Sequence, residues 1–268
     1  MAELRPVTPV AIVAHDLRAL AERVDRDGWG DGARAELDRL AELAGGLDPY
    51  LEAMTSPASA DLDRLAARTV EADWSGGDGP RLEPEMLSGH VEGRFLAFLV
   101  RATRARAVLE VGMFTGYSAL AMAEALPDGG RLVALELDER VAAFAREAFD
   151  DAPHGGRIEV RVGPAGESLA ALAAEGARFD LVFVDADKGG YGAYLDALLD
   201  GGLLAPGGVV CVDNTLLQGR PWAAAEGERG ENGEAIAEFN RRVADDDRLE
   251  QVLVPLRDGV TLIRRVDD

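Results

Sequence analysis

From residue 106 onward, short apolar runs alternate with longer stretches of helical pattern. The apolar runs are AVLEVG (107–112), RLVALEL (131–137), RIEVRVG (157–163), FDLVFVDA (179–186) and GGVVCVD (207–213). The helical stretches that follow the first four runs end at Leu126, Phe149, Ala174 and Leu199. This rhythm predicts βαβ units and therefore a parallel sheet that helices cover on both faces.

The last two apolar runs follow a different pattern. LEQVLVPL (249–256) and VTLIRRV (260–266) are separated only by Arg257-Asp258-Gly259. Two strands joined by so short a turn predict an antiparallel hairpin. The pattern as a whole predicts an α/β fold of five parallel strands followed by a C-terminal hairpin.

The N-terminal third of the chain is polar and helical in pattern. Helical spacing is present at 33–44, 61–72 and 84–104, and Gly45-Gly46 ends the first of these stretches. The glycine-rich loop 73–80 predicts a boundary. We therefore expect a helical N-terminal extension over residues 1–80 and a main domain over residues 81–268.

Composition narrows the class of protein. The chain has 49 acidic and 28 basic residues, and the net charge of −21 disfavours nucleic acid or an anionic membrane as a partner. The first 15 residues have no uninterrupted apolar stretch, so we expect no signal peptide, and no apolar segment reaches the ~20 residues that a membrane span requires. The single cysteine, Cys211, lies in an apolar run and is expected to be a buried structural thiol, which suits a cytoplasmic protein.

The turn after the first predicted strand, EVGMFTGYS (110–118), has glycine at positions 112 and 116. Glycine lets a ligand approach the backbone at the start of the next helix. The turn is not the G-x-G-x-x-G of dinucleotide-binding proteins. Glu136 ends the second strand, where a carboxylate can accept both hydroxyls of a ribose. Together these features indicate a ribose-containing ligand.

Oxygen-bearing side chains follow the fourth and fifth predicted strands. Asp185 and Asp187 come after the fourth strand, and Asp213 and Asn214 come after the fifth. If these strands are neighbours, Asp185, Asp213 and Asn214 converge outside their carboxyl ends. Such oxygen donors, without His or Cys, suit a hard cation such as Mg²⁺. Helix capping would explain one of these aspartates but not all of them.

Lys188 lies beside the aspartates and is the only lysine among the basic residues. A genome biased against lysine codons is one explanation. The other is chemical, because an ammonium group can release a proton and take it back, whereas a guanidinium group does not. Lys188 is therefore a candidate acid–base residue. His15, His90 and His154 are weaker candidates.

These stretches resemble the class I S-adenosylmethionine-dependent methyltransferases, and specifically the cation-dependent O-methyltransferases of the catechol and caffeoyl-CoA type. The resemblance covers residues 84–266 and is carried by VLEVGMFTGYSALAMAEALP, LVALELD, VGPAGESL, FDLVFVDADKGGY, GGVVCVDNTLLQG and DDDRLEQVLVPLRDGVTLIRRV. DADK and DNTL are the most specific of these motifs. The resemblance implies a Rossmann-like methyltransferase fold with a seven-stranded, mostly parallel sheet.

The resemblance also implies roles for individual residues. Cofactor contacts are implied for Ser88, Glu110, Gly112, Met113, Phe114, Ser118, Glu136, Ala165, Asp185 and Asp187. A site for Mg²⁺, or for another divalent cation such as Mn²⁺ or Ca²⁺, is implied at Asp185, Asp213 and Asn214. Lys188 is the implied catalytic base, and acceptor contacts are implied for Asp185, Lys188, Asn214 and Gln218. The implied reaction is methyl transfer from S-adenosylmethionine to a phenolic hydroxyl.

Three features leave the acceptor open. Arg94 stands where the family more often has glutamine, residues 1–46 have no counterpart in the family core, and the loop 215–233 is the family's variable acceptor-side loop. The net charge favours a small catechol over a CoA thioester, since this loop offers only Arg220 and Arg229. The resemblance implies a homodimer, and we expect residues 1–46 to form a lid or wall of the acceptor pocket.

Three other functions fit parts of the pattern. A nicotinamide-dependent Rossmann oxidoreductase would share the sheet and Glu136 but would leave the metal trio without a role. A phosphotransferase that uses Asp185 and Asp187 would carry its aspartate pair after the first strand instead. A ligand-binding descendant without activity would have lost a metal ligand or Lys188.

Overall fold

A mixed sheet runs through the main part of the chain. The computed structural model describes residues 6–27, 31–74, 82–225 and 227–266. Within these residues the strands are β1 (Ala107–Val111), β2 (Arg131–Glu136), β3 (Ile158–Val162), β4 (Phe179–Val184), β5 (Leu204–Val212), β6 (Leu249–Val254) and β7 (Val260–Arg265). Each lies within or overlaps an apolar run of the sequence.

The strand order is β3-β2-β1-β4-β5-β7-β6. The first five strands in this order are parallel. β7 runs antiparallel to both β5 and β6. The predicted Rossmann-like α/β fold with a C-terminal antiparallel hairpin is therefore confirmed. The fourth and fifth strands are neighbours, which was the condition for Asp185, Asp213 and Asn214 to converge.

Helices precede the sheet and connect its strands. Before β1 lie α1 (Pro9–Asp27), α2 (Asp31–Gly45), α3 (Leu47–Met54), α4 (Ala60–Glu71) and α5 (Gly89–Thr103). The connections contain α6 (Tyr117–Ala123), α7 (Glu139–Asp150), α8 (Ala165–Ala174), α9 (Tyr191–Leu199), α10 (Arg220–Ala223) and α11 (Gly230–Ala244). The helices predicted at 33–44, 61–72 and 84–104 are present, and the last begins as a 3₁₀ turn at Pro84–Met86.

Both faces of the sheet are buried. Val108 and Leu109 are neighbours on β1 and are both fully buried, yet they belong to two different apolar layers. Successive side chains of a strand point to opposite faces, so a strand that is covered on both sides is apolar throughout. This explains why β1 and β4 are mostly apolar, with Glu110 and Asp180 as the exceptions.

The strand order reverses between β1 and β4. From β1 the chain proceeds outward to β2 and β3, whereas from β4 it proceeds in the other direction to β5. In open α/β sheets a crevice forms at this reversal, outside the carboxyl ends of the strands. The residues singled out after β1, β2, β4 and β5 all lie at this edge.

The segment between β5 and β6 differs from its prediction as a loop. Residues 215–233 contain the short helix α10, and α11, which was not predicted, begins at Gly230. Ile236, Phe239 and Val243 are buried on one face of α11. Their spacing is a helical signal in the sequence, but the glycines and charged residues before them obscure the start of the helix.

The N-terminal helices pack on the main domain. α1 and α2 form a hairpin, and α1 also packs against the turn Leu217–Gly219. α4 packs against α6, where Leu62 and Leu65 join the core. Most of the predicted boundary loop 73–80 lies outside the described residues, so a division at residue 80 stays a prediction. Across the described ranges, no helix combines the length and apolarity that a membrane crossing needs.

Candidate active site

The turn between β1 and α6 brings the backbone to the edge of the crevice. Gly112 has φ 88°, and a Cβ at this position would lie 2.1 Å from the carbonyl oxygen of Asp185. Gly116 has φ 89°, and a Cβ there would lie 2.3 Å from the ring of Phe149. Both positions therefore require glycine. The first allows β1 to approach the end of β4, and the second allows the turn to pack on α7.

Glu136, at the end of β2, is held by the same turn. The N–H of Phe114 donates to Oε2 at 2.8 Å, and the N–H of Asp138 donates to Oε1 at 3.0 Å. Phe114 makes this bond from a left-handed conformation with φ 49°. Burial raises the pKa of Glu136, although the backbone bonds oppose the shift. The carboxylate has a fixed position and further acceptor capacity, which suits it to ribose hydroxyls.

Glu110, on β1, is fully buried. The Ser118 hydroxyl donates to its Oε1, while Oε2 has no hydrogen-bond partner in the described part of the chain. Burial raises the pKa of Glu110 well above its ordinary value, against the effect of the Ser118 bond. An unpartnered buried carboxyl oxygen is costly, so Glu110 is suited to receive a donor group from a ligand.

A cleft opens between the start of α5 and the glycine turn. Six of the predicted cofactor residues line it, namely Ser88, Gly112, Met113, Phe114, Ser118 and Asp185. Met86, Leu87 and Tyr117 complete the lining. The structure thus gathers these residues around one cavity although they are spread over almost 100 positions.

Of the other predicted cofactor residues, two are bonded to the cleft wall and two lie on other elements. Glu110 and Glu136 bond to residues of the cleft wall. Ala165 begins α8, two residues after Gly163, whose N–H donates to the carbonyl of Glu136 at 2.9 Å. Asp187 accepts a hydrogen bond from the Tyr194 hydroxyl at 2.5 Å.

The three candidate metal ligands come together at the ends of β4 and β5. The Asp185 N–H donates to the Val111 carbonyl at 2.8 Å, and the Asp213 N–H donates to the Val184 carbonyl at 2.9 Å. The parallel ladder therefore continues past the strands and places the two aspartates side by side. Asn214 follows with φ 57°, and its N–H donates to Asp213 Oδ1 at 2.6 Å.

Lys188 lies at the centre of this group, with its side chain only 14% exposed. Its Nζ is 2.9 Å from Asp185 Oδ1, 2.6 Å from Asn214 Oδ1 and 2.7 Å from the Tyr191 hydroxyl. Burial disfavours the ammonium, but the charges of Asp185 and Asp213, together with the interaction with Tyr191, outweigh burial and raise the pKa of Lys188. The lysine thus occupies the position that a cation takes among oxygen donors.

Glu92 and Arg257 belong to this site but were not predicted. Glu92, on α5, is 1% exposed, and its Oε2 lies 3.5 Å from Arg257 Nη1. Burial and the charge of Asp213 raise the pKa of Glu92. Burial and the charge of Asp185 raise the pKa of Asp213 to about 7. The sequence signal for Glu92 is a carboxylate four residues before the buried Leu96, on the apolar face of a helix.

Gln218, the predicted acceptor residue, lies in a strained turn that the hairpin holds. It has φ 57°, and its N–H donates to Asp258 Oδ1 at 2.6 Å. The Leu216 N–H donates to the Asp258 carbonyl at 2.8 Å. Burial raises the pKa of Asp258 to about 6. The sequence predicts Asp258 only as part of a turn, because its partner Gln218 is 40 positions away.

Two other residues lie apart from this chemistry. Cys211 is fully buried on β5, and burial raises the pKa of its thiol, which is the structural role expected for it. Arg94 donates to the carbonyl of Pro57, so its guanidinium contacts the segment between α3 and α4.

Several solved structures that are similar to this chain are methyltransferases. A methyltransferase of Podospora anserina with S-adenosylhomocysteine bound is 30% identical, with a TM-score of 0.72 over 84% of this chain and 95% of its own. The O-methyltransferase TomG of Streptomyces achromogenes, involved in tomaymycin synthesis and solved with S-adenosylmethionine, is 30% identical, with a TM-score of 0.68 over 82% of this chain and 96% of its own. The fold and the cleft thus define a class I S-adenosylmethionine-dependent methyltransferase.

The model of the O-methyltransferase family matches residues 77–266. A caffeoyl-CoA O-methyltransferase of Mesembryanthemum crystallinum is 37% identical over 182 residues, which are 65% of this chain and 71% of the relative. Tricin synthase 2 of Oryza sativa subsp. japonica is 37% identical over 188 residues, which are 68% of this chain and 64% of the relative. The chain belongs to the O-methyltransferase family, among the caffeoyl-CoA O-methyltransferases and their relatives, and it is an S-adenosylmethionine-dependent enzyme.

Proposed function

We propose that this O-methyltransferase methylates a phenolic hydroxyl of a catechol-type small molecule, with Mg²⁺ as its divalent cation and Lys188 as general base. The observation that supports this best is the position of Lys188 Nζ, within 2.9 Å of both Asp185 Oδ1 and Asn214 Oδ1. Asp185 also lines the cofactor cleft. The candidate base, the candidate metal ligands and the cofactor cleft therefore meet at Asp185.

The donor set fits a hard divalent cation. Asp185 and Asp213 offer carboxylate oxygens and Asn214 offers an amide oxygen, and these are donors that Mg²⁺ prefers. Among the described residues, no three His, Cys, Asp or Glu side chains are grouped to hold a metal ion, so the amide of Asn214 is needed. When bound, Mg²⁺ supplies Lewis acidity, which lowers the pKa of an acceptor hydroxyl.

Lys188 is placed to move the acceptor proton. A free phenol has a pKa of about 10, so it is a poor nucleophile at neutral pH. In the structure the charges of Asp185 and Asp213 keep Lys188 in its ammonium form. If Asp185 and Asp213 held a divalent cation, their charges would be neutralised, and the burial of Lys188 would then favour the neutral amine, which can accept the phenolic proton.

The residues of the cofactor cleft position the methyl donor. Glu136 is fixed by two backbone N–H groups and holds the ribose, while Glu110 receives a donor group of the cofactor. Asp185 borders both the cleft and the Lys188 site. Holding the methyl donor and the acceptor oxygen in line lowers the barrier without further chemistry from the protein.

A caffeoyl-CoA-type acceptor is the second candidate, since relatives 35% to 37% identical carry that name. We favour a small catechol because the net charge is −21 and a CoA tail carries phosphates. Of the two arginines in the loop 215–233, Arg229 is engaged in an ion pair with Glu234 at 3.2 Å. Arg220 is then the arginine of that loop that could bind the phosphates of a CoA tail.

A substrate panel tests the proposal. Catechols, free caffeate and caffeoyl-CoA are compared by kcat/KM in Mg²⁺, with single-hydroxyl phenols as controls. We expect turnover of vicinal diols, loss of turnover in excess EDTA and recovery on adding Mg²⁺. Full turnover in excess chelator would exclude the metal. A large preference for caffeoyl-CoA over caffeate would replace the small catechol by the CoA ester.

We also propose that the protein is a homodimer. Met54 on α3 and Phe98 on α5 are 65% and 69% exposed, and these two helices pack against each other. Exposed apolar side chains on adjoining helices are typical of an interface. Sedimentation of the wild type should give a dimer and that of Phe98→Glu a monomer, and a wild-type monomer would exclude the assembly.

A further inference from the structure

Residues that precede the segment matched by the family model contact the wall of the cofactor cleft. The family model begins at residue 77, and the helix α4 and Trp74 precede it. Trp74 is only 8% exposed. Its ring centroid lies 5.2 Å from that of Phe114, which belongs to the glycine turn and lines the cleft. A side chain outside the matched domain therefore supports a residue of the cofactor site.

The ring of Trp74 is fixed from three sides. Its Nε1–H donates to the carbonyl of Thr69 at 2.8 Å, which satisfies its single polar atom. It packs edge-on against Phe144 of α7, with centroids 5.3 Å apart. The guanidinium of Arg68 covers the same Phe144 ring at 4.9 Å and pairs with Glu147 at 3.1 Å. Trp74 is thus wedged between α4, α7 and the glycine turn.

A second link joins α4 to the glycine turn. The hydroxyls of Thr69 and Thr115 are hydrogen-bonded at 3.0 Å, and both residues are fully buried. Thr115 is the neighbour of Phe114 in the chain. The aromatic contact and the hydroxyl bridge therefore act on adjacent residues of one turn.

Phe114 needs this support. It is a non-glycine residue with φ 49°, a conformation that L-residues disfavour. From that conformation its N–H donates to Glu136 Oε2 at 2.8 Å. If Phe114 relaxes toward an ordinary conformation, its N–H turns away and Glu136 loses one of the two bonds that fix its carboxylate.

We propose that Trp74 is a positioning residue for the cofactor, which keeps Phe114 in its left-handed conformation and so holds Glu136 ready for the ribose. The inference rests on the cofactor role of Glu136 under the proposed function. It assigns part of the cofactor site to the N-terminal extension. Trp74 acts through Phe114 and has no part in the chemistry.

Calorimetric titration of S-adenosylhomocysteine into purified full-length variants tests the inference. Trp74→Leu keeps an apolar side chain and loses the ring, whereas Trp74→Phe keeps a ring. We expect about tenfold weaker binding for Trp74→Leu, as for the loss of a hydrogen bond to a charged group, and near wild-type binding for Trp74→Phe. Trp222→Leu is the matched control, since Trp222 is 60% exposed, and it should bind like the wild type.

Two further readouts separate positioning from general damage. Hydrogen exchange of the 112–116 segment without ligand should be faster in Trp74→Leu, while Mn²⁺ affinity at the Asp213 side should be unchanged. Thr69→Val, which retains shape and removes the hydroxyl bridge, should also weaken S-adenosylhomocysteine binding. If Trp74→Leu does not fold, Thr69→Val is used to test the inference instead.

The outcomes are distinct. Wild-type affinity in both Trp74→Leu and Thr69→Val, or unchanged exchange at 112–116, would overturn the inference. Equal loss of Mn²⁺ and S-adenosylhomocysteine binding would also overturn it, because the defect would then be global. A wild-type protein that does not bind S-adenosylhomocysteine at all would instead overturn the proposed function.

Discussion

The proposed cofactor side and the proposed acceptor side of the crevice, its two halves, supply their carboxylates with different kinds of partner. On the cofactor side, Glu136 accepts hydrogen bonds from two backbone N–H groups, and Glu110 accepts a hydrogen bond from the Ser118 hydroxyl. On the acceptor side, the charge of Asp185 acts on the buried carboxyl group of Asp213, and both aspartates attract the ammonium group of Lys188. The first half uses backbone N–H groups and a hydroxyl as donors, whereas the second half relies on one ammonium group.

This difference indicates which half needs a cation. Backbone donors are supplied by the fold and do not change with solution conditions, so the cofactor half is organised without metal. Burial and the charge of Asp185 raise the pKa of Asp213, and a proton or a metal ion relieves that repulsion. We therefore expect the cofactor half to bind its ligand with or without Mg²⁺, and the acceptor half to depend on Mg²⁺.

The largest expected effect is at Lys188. Lys188→Arg should lower kcat nearly as much as Lys188→Ala, by ~10²–10⁴-fold, because a guanidinium retains the charge but cannot act as a base. Steady-state kinetics at saturating Mg²⁺ measures this, with Mn²⁺ affinity checked in both variants. An arginine variant with more than about a tenth of wild-type kcat would show that Lys188 is a fixed charge and not the base.

A smaller effect is expected at Glu136. Glu136→Ala removes a charged acceptor, and S-adenosylhomocysteine should bind ~10–150-fold more weakly, the equivalent of one such hydrogen bond. Calorimetry measures the dissociation constant. The affinity for Mn²⁺ at the acceptor half is the control and should not change. If the dissociation constant does not change, the ribose is not held by Glu136.

The acceptor half should respond to pH. The pKa of Asp213 is raised to about 7 without metal, so below this pH the carboxylate binds a proton that Mg²⁺ must displace. Mg²⁺ affinity should therefore fall by about tenfold per pH unit as the pH drops below 7 and level off above it. Titrations of Mg²⁺ across this range test the sign. An affinity that is flat through pH 7 would contradict the charge cluster.

The smallest effect is expected at the N-terminal helices. α1 packs against the turn that carries Gln218, so deletion of residues 1–46 should raise KM for the acceptor several-fold. S-adenosylhomocysteine affinity and the oligomeric state should not change, because α4 and Trp74 remain. A monomeric deletion product with normal KM would instead assign residues 1–46 to the subunit interface.

Most of the fold follows from local pattern. Strands buried on both faces give nearly continuous apolar runs, so β1 and β4 can be predicted without any tertiary information. α11 was missed because glycines and charges surround its start, although Ile236, Phe239 and Val243 have helical spacing. Helical spacing does not predict where a helix packs on the sheet, because that position depends on tertiary contacts.

The candidate site could be predicted where it follows strand ends. Asp185 and Asp213 come together because β4 and β5 pair, and that pairing was the condition on which the predicted site depended. Glu92 and Asp258 could not be assigned in the same way, since each reaches the site from an element distant in sequence. Their partners are set by packing of α5 and of the hairpin against the sheet.

The central claim is tested most directly by titrating S-adenosylhomocysteine and a catechol separately, each in Mg²⁺ and in excess EDTA. The account predicts the same S-adenosylhomocysteine affinity under both conditions. It also predicts that the complex with S-adenosylhomocysteine binds the catechol in Mg²⁺ and not in EDTA. Catechol binding that is equal in EDTA, or S-adenosylhomocysteine binding that requires Mg²⁺, would contradict the division of the crevice into these two halves.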